Sequence, residues 1–130
     1  MIKIFKKGFT LIELLVVIAI IGILITVGSV SYIRAMELSR DSKRKTDLEQ
    51  IRQALETYRS EIGTYPASKD LKDSLVSNYI TTLPTDPKPP ATYAYTPNTT
   101  TTYTLCATLE IPPSAASGCA LPGNYKVTNP

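Results

Sequence analysis

The longest apolar run in the chain covers residues 9–33 and contains one charged side chain, Glu13. No charged residue follows until Arg34, so the run lacks the polar face that a surface helix of a soluble protein carries. A helix rises about 1.5 Å per residue, so residues 14–33 are long enough to cover the roughly 30 Å hydrocarbon core of a bilayer. The pattern predicts a membrane-spanning helix over residues 9–33.

A second helical pattern follows this run without a break. Residues 34–45 are polar and of mixed charge, and apolar residues then recur at steps of three and four: Leu48, Ile51, Leu55, Tyr58 and Ile62. Gly63, with Tyr65 and Pro66 beyond it, marks the end of the helix. We therefore expect one helix over residues 9–62 that stops at Gly63, and residues 34–63 are the amphipathic continuation of the membrane segment.

The pattern in residues 64–130 indicates a small head of mixed structure. Residues 66–80 favour a loop and a short second helix with Ser68 as its candidate N-cap, and the proline-rich residues 83–90 predict a connecting loop. β-Branched and aromatic residues then predict strands over residues 91–96, 102–109 and 124–128. The predicted fold class is α+β, with a long N-terminal helix packed on a small three-stranded antiparallel sheet.

Glu13 is the anomaly in the apolar run. A carboxylate in a membrane helix costs about 2 to 4 kcal/mol and is normally retained only where a specific partner pairs with it. Cleavage of the chain after Gly8 would create an α-amino group on Phe9, which carries positive charge at pH 7. The amine of a neighbouring subunit could then neutralise Glu13, which ties the charge to assembly.

The residues around Gly8 resemble the N-terminus of the type IV pilin superfamily. A short basic leader ends in Gly8, and the motif Phe9-Thr10-Leu11-Ile12-Glu13 opens the apolar run. The resemblance implies that residues 1–8 are a prepilin leader, that prepilin peptidase cuts after Gly8 and methylates Phe9, and that Glu13 acts in filament assembly. It also implies the lollipop outline that is typical of pilins.

The same resemblance implies a structural subunit and not an enzyme. We expect a precursor in the cytoplasmic membrane, with its N-terminus in the cytoplasm and its head outside, that polymerises into the helical homopolymer of a cell-surface or extracellular type IV pilus. Its expected partners are further copies of itself, prepilin peptidase and the inner-membrane assembly platform of a pilus or type II secretion machine. Nucleic acid is a partner only of a DNA-uptake pilus.

Other interpretations of the chain stay open at this point. Within the superfamily, the alternative is the major pseudopilin of a type II secretion or competence pseudopilus. A different class is a membrane-anchored surface binding module that never polymerises. An ordinary signal peptide has a shorter apolar core, and a plain membrane anchor would explain neither Gly8-Phe9 nor Glu13.

Charge is balanced once the leader is removed. The formal net charge is +3, and three of the 14 basic residues lie in the leader, which leaves 11 against 11 acidic residues. Bulk charge therefore predicts no nucleic-acid partner. Basic residues also follow the apolar run closely, so the positive-inside rule does not set the orientation; the leader motif and the cysteines place the head outside.

The two cysteines, Cys106 and Cys119, lack the spacing of a metal or redox motif. In a small exported domain such a pair first suggests a disulfide, which would contribute roughly 3 kcal/mol. Two buried free thiols are the alternative. A disulfide-bounded region near the C-terminus also resembles that of type IV pilins.

The sequence gives no sign of catalysis or of a cofactor. It contains no histidine, tryptophan or phosphate-binding glycine loop. Residues 63–66, 83–87 and 93–95 resemble the major pseudopilin of type II secretion, in which calcium orders a loop. The stretch that follows here, residues 97–102, has no carboxylate, so we predict no metal site.

Three polar features also have an interpretation from the sequence. Asn98-Thr99-Thr100 is an N-glycosylation sequon, although a solvated turn explains it as well. Lys43-Arg44-Lys45 is interpreted as a solvated helix face that pairs between subunits, with anionic lipid headgroups as the alternative partner. Asp86, between prolines, is interpreted as a turn residue.

Overall fold

The computed structural model describes residues 8–113, 118–119 and 123–130. The chain divides into two compact units, Met1–Met36 and Glu37–Pro130. Apart from Gly8, the predicted leader lies outside the described residues. The remainder contains a long helix, a short helical segment and three strands, which confirms the predicted α+β class.

Helix α1 spans Leu11–Ile62 and confirms the single long helix predicted from two successive patterns. It begins at Leu11 instead of Phe9, and it ends where the sequence predicts. Gly63 has a φ of +86°, the left-handed conformation that glycine adopts at little cost just after a helix. Its N–H donates to the carbonyl of Arg59 at 2.8 Å and closes the last turn.

The short helical segment after α1 differs from the prediction. A 3-10 turn covers Ser68–Asp70, and helix α2 covers only Leu71–Leu75. Ser68 is not the N-cap, because the residue in that position is Ala67 and no side chain caps the turn. The Ser68 hydroxyl instead donates to the carbonyl of Tyr95 at 3.2 Å, which links this segment to the sheet.

The sheet has three antiparallel strands in the order β1-β2-β3. Strand β1 is Ala94–Pro97, β2 is Tyr103–Ala107 and β3 is Tyr125–Thr128. All three predicted strands are present, but each is shorter than predicted. Pro97 is tolerated as the last residue of β1 because this strand lies at the edge of the sheet.

The core lies between one face of the sheet and the head half of α1. Leu48, Ile51 and Leu55 on α1 are almost fully buried and belong to the same hydrophobic cluster as Tyr103 and Leu105 on β2. The alternation along β2 thus predicted the inward face correctly. The predicted stripe on α1 is wrong at its end, because Ile62 is 57% exposed.

Candidate assembly site

The N-terminal unit presents an apolar helix surface that nothing in the described chain covers. An 18-residue window of α1 has a mean hydropathy of 2.9, none of it is buried, and by length and composition it can cross a membrane. Phe9 is 89% exposed and Val30 is 71% exposed. Exposure of such a large apolar surface to water is unfavourable, so lipid or other protein must cover it.

Glu13 lies in the first turn of this helix and forms a capping box with Thr10. Its Oε2 accepts the Thr10 backbone N–H at 2.8 Å and the Thr10 hydroxyl at 2.9 Å. The Thr10 hydroxyl oxygen in turn accepts the Glu13 backbone N–H at 3.3 Å. These reciprocal bonds satisfy donors that the start of a helix otherwise leaves unpaired.

Sequence reasoning missed this capping box, although its signal is present. A threonine followed three residues later by glutamate, immediately before an apolar run, is the pattern of a capping box. One carboxylate oxygen of Glu13 therefore has partners within its own chain. Oε1 accepts no hydrogen bond from any residue that the structure describes.

The predicted cleavage site lies just before α1. Gly8 and Phe9 are both exposed and precede the first helical residue, Leu11. A peptidase needs such an accessible, non-helical peptide bond. The roles predicted for Gly8, Phe9 and Glu13 otherwise stay predictions.

In the head, Arg44 forms a buried ion-pair network that joins α1 to two loops. Its Nε and Nη2 donate to the two carboxylate oxygens of Asp86 at 2.8 and 2.9 Å. Its Nη1 donates to Asp41 at 2.7 Å and to Glu110 at 3.1 Å. Arg44 is 1% exposed, so these bonds form in an environment that strengthens them and makes a missing partner costly.

Asp41 and Glu110 extend the network to the segment after β2. Asp41 accepts the backbone N–H groups of Glu110 and Ile111, both at 2.9 Å. Glu110 also accepts hydrogen bonds from Nε and Nη2 of Arg40, at 2.6 and 2.8 Å, and from Lys88 at 3.0 Å. Hydrogen bonds from these cations, the largest from Arg40, hold the pKa of Glu110 well below its ordinary value.

The interpretation of Arg44 as part of a solvated, intersubunit face is wrong. Arg44 is buried and its partners lie in its own head, whereas Lys43 and Lys45 beside it are exposed. A signal was available, because Asp41 and Arg44 continue the apolar stripe of Leu48 and Ile51 backwards in steps of three and four. An ion pair on that face points into the core.

The interpretation of Asp86 as a turn residue covers only part of its role. It does accept the Lys88 backbone N–H at 2.8 Å, as an aspartate in a turn does. It is also buried and paired with Arg44, whose hydrogen bonds are the main cause of its lowered pKa. The proline-rich loop is thereby fixed to α1 by a charge that the sequence pattern did not assign to it.

Within residues 8–113, 118–119 and 123–130, no group of three or more histidine, cysteine or acidic side chains is arranged to hold a metal ion. Asp41, Asp86 and Glu110 do come together, but the Arg44 guanidinium lies among them and uses their oxygens. The chemistry of this cluster is that of a structural ion-pair network.

The structure joins Cys106 and Cys119 in the predicted disulfide. Gly123 lies beside it, and a Cβ at that position would come within 3.0 Å of the Cys106 Cβ. Asn98 is exposed at the start of the turn between β1 and β2, and its amide donates to the Thr104 hydroxyl at 2.9 Å. Its glycosylation stays a prediction.

Comparison with known proteins places this sequence in a family. The model named "Prokaryotic N-terminal methylation motif" matches residues 5–29. The chain is 31% identical over 96 residues to type II secretion system core protein G of Aeromonas hydrophila, an alignment that covers 63% of this chain and 67% of that protein. This chain belongs to the type IV pilin and pseudopilin superfamily.

Two further relatives come from both branches of the superfamily. This chain is 41% identical over 60 residues to type IV major pilin protein PilA of Myxococcus xanthus, in an alignment that covers 46% of this chain and 27% of the relative. It is 33% identical over 84 residues to core protein G of Vibrio cholerae, with coverages of 65% and 54%. The alignments thus span about a quarter and about half of these two relatives. No solved structure gives a significant match.

Membership of the superfamily accounts for the presence of both the apolar helix and the methylation motif. Pilins and pseudopilins are structural subunits and not enzymes. Both kinds of relative are components of pili or type II secretion pseudopili, which suggests self-polymerisation. The relatives do not separate a pilus from a pseudopilus.

Proposed function

We propose that this chain is the structural subunit of a type IV pilus filament. In this proposal the precursor is held in the cytoplasmic membrane with its head outside, prepilin peptidase cuts it after Gly8, and the new N-terminal Phe9 is methylated. The subunits then polymerise through residues 9–33. The observation that carries the proposal is an apolar helix segment with a single carboxylate and no buried residue, which the methylation motif matched at residues 5–29 overlaps.

The physical argument concerns the apolar surface and the charge. Helices that leave lipid must stay out of water, and packing residues 9–33 of many subunits into a filament core achieves this. A carboxylate in that core needs a cation, and the Phe9 amine of a neighbouring subunit supplies one. Each Glu13 would thus fix the axial position of the next subunit, because only one register pairs the two charges.

A second candidate within the superfamily is the major pseudopilin of a type II secretion or competence pseudopilus. It is favoured by the two core protein G relatives, whose alignments cover more of this chain than the pilin alignment does. The pilus is favoured by the Cys106–Cys119 disulfide, which bounds a loop near the C-terminus as in type IV pilins. We retain the pilus as the first proposal.

The experiment that tests the proposal examines material sheared from cells that express the chain at its native level. The proposal predicts filaments by electron microscopy whose subunit begins at N-methylated Phe9, as read by mass spectrometry. Filaments whose subunits begin at Met1 would overturn the processing step. Head displayed on the cell without any filament would favour a membrane-anchored binding module.

A deletion strain separates the two filament candidates. Loss of surface filaments with unchanged protein secretion supports the pilus. Loss of secreted proteins from the medium, with no filaments visible on wild-type cells, supports the secretion pseudopilus. Loss of DNA uptake alone supports the competence pseudopilus and makes nucleic acid a partner.

A further inference from the structure

The two oxygens of the Glu13 carboxylate have different surroundings. Oε2 receives two hydrogen bonds from Thr10, one from its backbone N–H and one from its hydroxyl. Oε1 receives none from the described residues, and the side chains that line the same surface region as Glu13, among them Phe9, Ile12 and Val16, are apolar. The carboxylate is therefore held by one oxygen and unsatisfied at the other.

This asymmetry matters for an assembly contact. A freely rotating glutamate must give up several side-chain rotamers when it pairs with a neighbour's amine, and that loss weakens the contact. A glutamate already fixed by Thr10 has lost this freedom before the neighbour arrives. A hydroxyl bond to Oε2 leaves Oε1 available, so the bond within the chain and the bond between chains do not compete.

We propose that Thr10 is a positioning residue for filament assembly, whose hydroxyl holds the Glu13 carboxylate in place for the amine of the neighbouring subunit. This inference rests on the proposed function, since it requires Glu13 to meet that amine. It assigns to Thr10 a role beyond that of a helix cap. The Thr10 hydroxyl acts on the contact only through Glu13.

The alternative explanation is that Thr10 only caps α1. Three substitutions distinguish this capping role from the proposed positioning role. Serine keeps both the cap and the hydroxyl donor. Glycine at an N-cap costs a helix only a few tenths of a kcal/mol, yet it has no hydroxyl to donate. Alanine removes both the cap and the donor, so glycine is the decisive variant.

The experiment measures filament in the sheared fraction relative to processed subunit in the membrane, so that any change in cleavage or insertion cancels. Thr10→Ser should assemble within about twofold of wild type, whereas Thr10→Gly and Thr10→Ala should both fall by roughly fivefold or more, the effect of one lost hydrogen bond. If Thr10→Gly assembles like wild type and only Thr10→Ala fails, Thr10 is a cap and the inference is wrong.

A Glu13→Gln variant in the same assay distinguishes this failure from failure of the proposed function. If Glu13→Gln abolishes filaments while Thr10→Gly leaves them unchanged, the charge contact stands and only the role of Thr10 is overturned. If Glu13→Gln also assembles normally, the charge contact itself is wrong. Reduced assembly of Thr10→Gly, with Thr10→Ser restoring it, supports the inference.

Discussion

Arg44 and Asp86 lie 42 residues apart in the sequence and form a buried ion pair through two parallel hydrogen bonds of 2.8 and 2.9 Å. The pair connects the helix that carries the assembly segment with the proline-rich loop of the head. Both residues lie far along the sequence from Phe9 and Glu13, which form the predicted assembly contact. We therefore expect the pair to affect the stability of the head, which can be measured.

Substitution of Arg44 by methionine should strongly destabilise the head. The variant keeps most of the side-chain volume but leaves Asp41 and Asp86 buried without their cation, and removal of one partner from a buried pair costs about 3 to 5 kcal/mol. The free energy of unfolding can be measured on the full chain in detergent by urea titration, followed by near-ultraviolet circular dichroism of the head tyrosines.

The matched control is Arg52→Met, which breaks the more accessible pair between Arg52 and Glu49, whose side chains are 34% and 42% exposed. Exposed pairs contribute about 0 to 1 kcal/mol, so this variant should be close to wild type. Equal effects of the two substitutions would show that the Arg44 network does not stabilise the head.

Acid should destabilise the head through the same network. Hydrogen bonds from arginine lower the pKa values of Asp86 and Glu110 below their ordinary values of 3.8 and 4.5. The unfolded chain therefore binds protons at a higher pH than the folded chain does. Stability from these groups is complete above about pH 5 and is lost as the pH falls towards the lowered pKa values.

The measurement is the free energy of unfolding between about pH 6 and pH 3, over which these carboxylates protonate in the unfolded chain. We expect a steady decrease in wild type and a smaller one in Arg44→Met, because the main cause of the lowered pKa at Asp86 is then gone. The same pH slope in both proteins would contradict this assignment.

Loss of the Cys106–Cys119 disulfide should weaken the head without separating its strands. The bond joins two cysteines at a sequence separation of 13 and is worth roughly 3 kcal/mol by chain entropy. Strand β3 has a second attachment, because Asn124 exchanges side-chain hydrogen bonds with the backbone of Leu109 at 2.7 and 2.9 Å, and its N–H donates to Ala107 at 3.0 Å.

Hydrogen exchange on a Cys106→Ala/Cys119→Ala double variant tests whether strand β3 stays attached without the disulfide. Overall protection should fall with the lower stability, while the amides that pair β2 with β3 remain the slowest to exchange. Combining the variant with Asn124→Ala, which removes the second attachment, should expose the β3 amides. Loss of β3 protection in the cysteine variant alone would show that the disulfide holds the strand.

The helix, the three strands and the α+β class could be predicted because each rests on a local pattern. Leu48, Ile51 and Leu55 repeat at helical spacing, and Tyr103 and Leu105 alternate along a strand, whatever the rest of the chain does. Strand ends were less accurate, since hydrogen-bonded pairing and not composition decides where a strand stops. Ser68 was assigned to the wrong position for a related reason, because a tertiary bond to Tyr95 engages its hydroxyl.

The buried network could not be predicted from charge pattern alone. Lys43, Arg44 and Lys45 carry the same charge, and although the stripe on α1 places Arg44 on the core face, its partners Asp86 and Glu110 come from distant loops. At the assembly site, the sequence identifies Glu13 as an unusual charge but does not show which of its oxygens Thr10 engages. Such details depend on side-chain geometry, which periodicity does not encode.

In the proposed function, the charge of Glu13, and not merely its role in the helix start, drives assembly. Glutamine at this position retains the capping box, because it can still accept a hydrogen bond from the Thr10 N–H. It removes the negative charge that would pair with the amine of a neighbouring subunit. Glu37→Gln serves as the control, since it neutralises another carboxylate of α1 beyond the apolar run.

The most direct measurement is therefore the filament yield of Glu13→Gln, relative to processed subunit in the membrane. We predict that Glu13→Gln is cleaved and retained in the membrane like wild type but gives no sheared filaments, while Glu37→Gln gives the wild-type yield. Filaments of Glu13→Gln at the wild-type level would contradict the account.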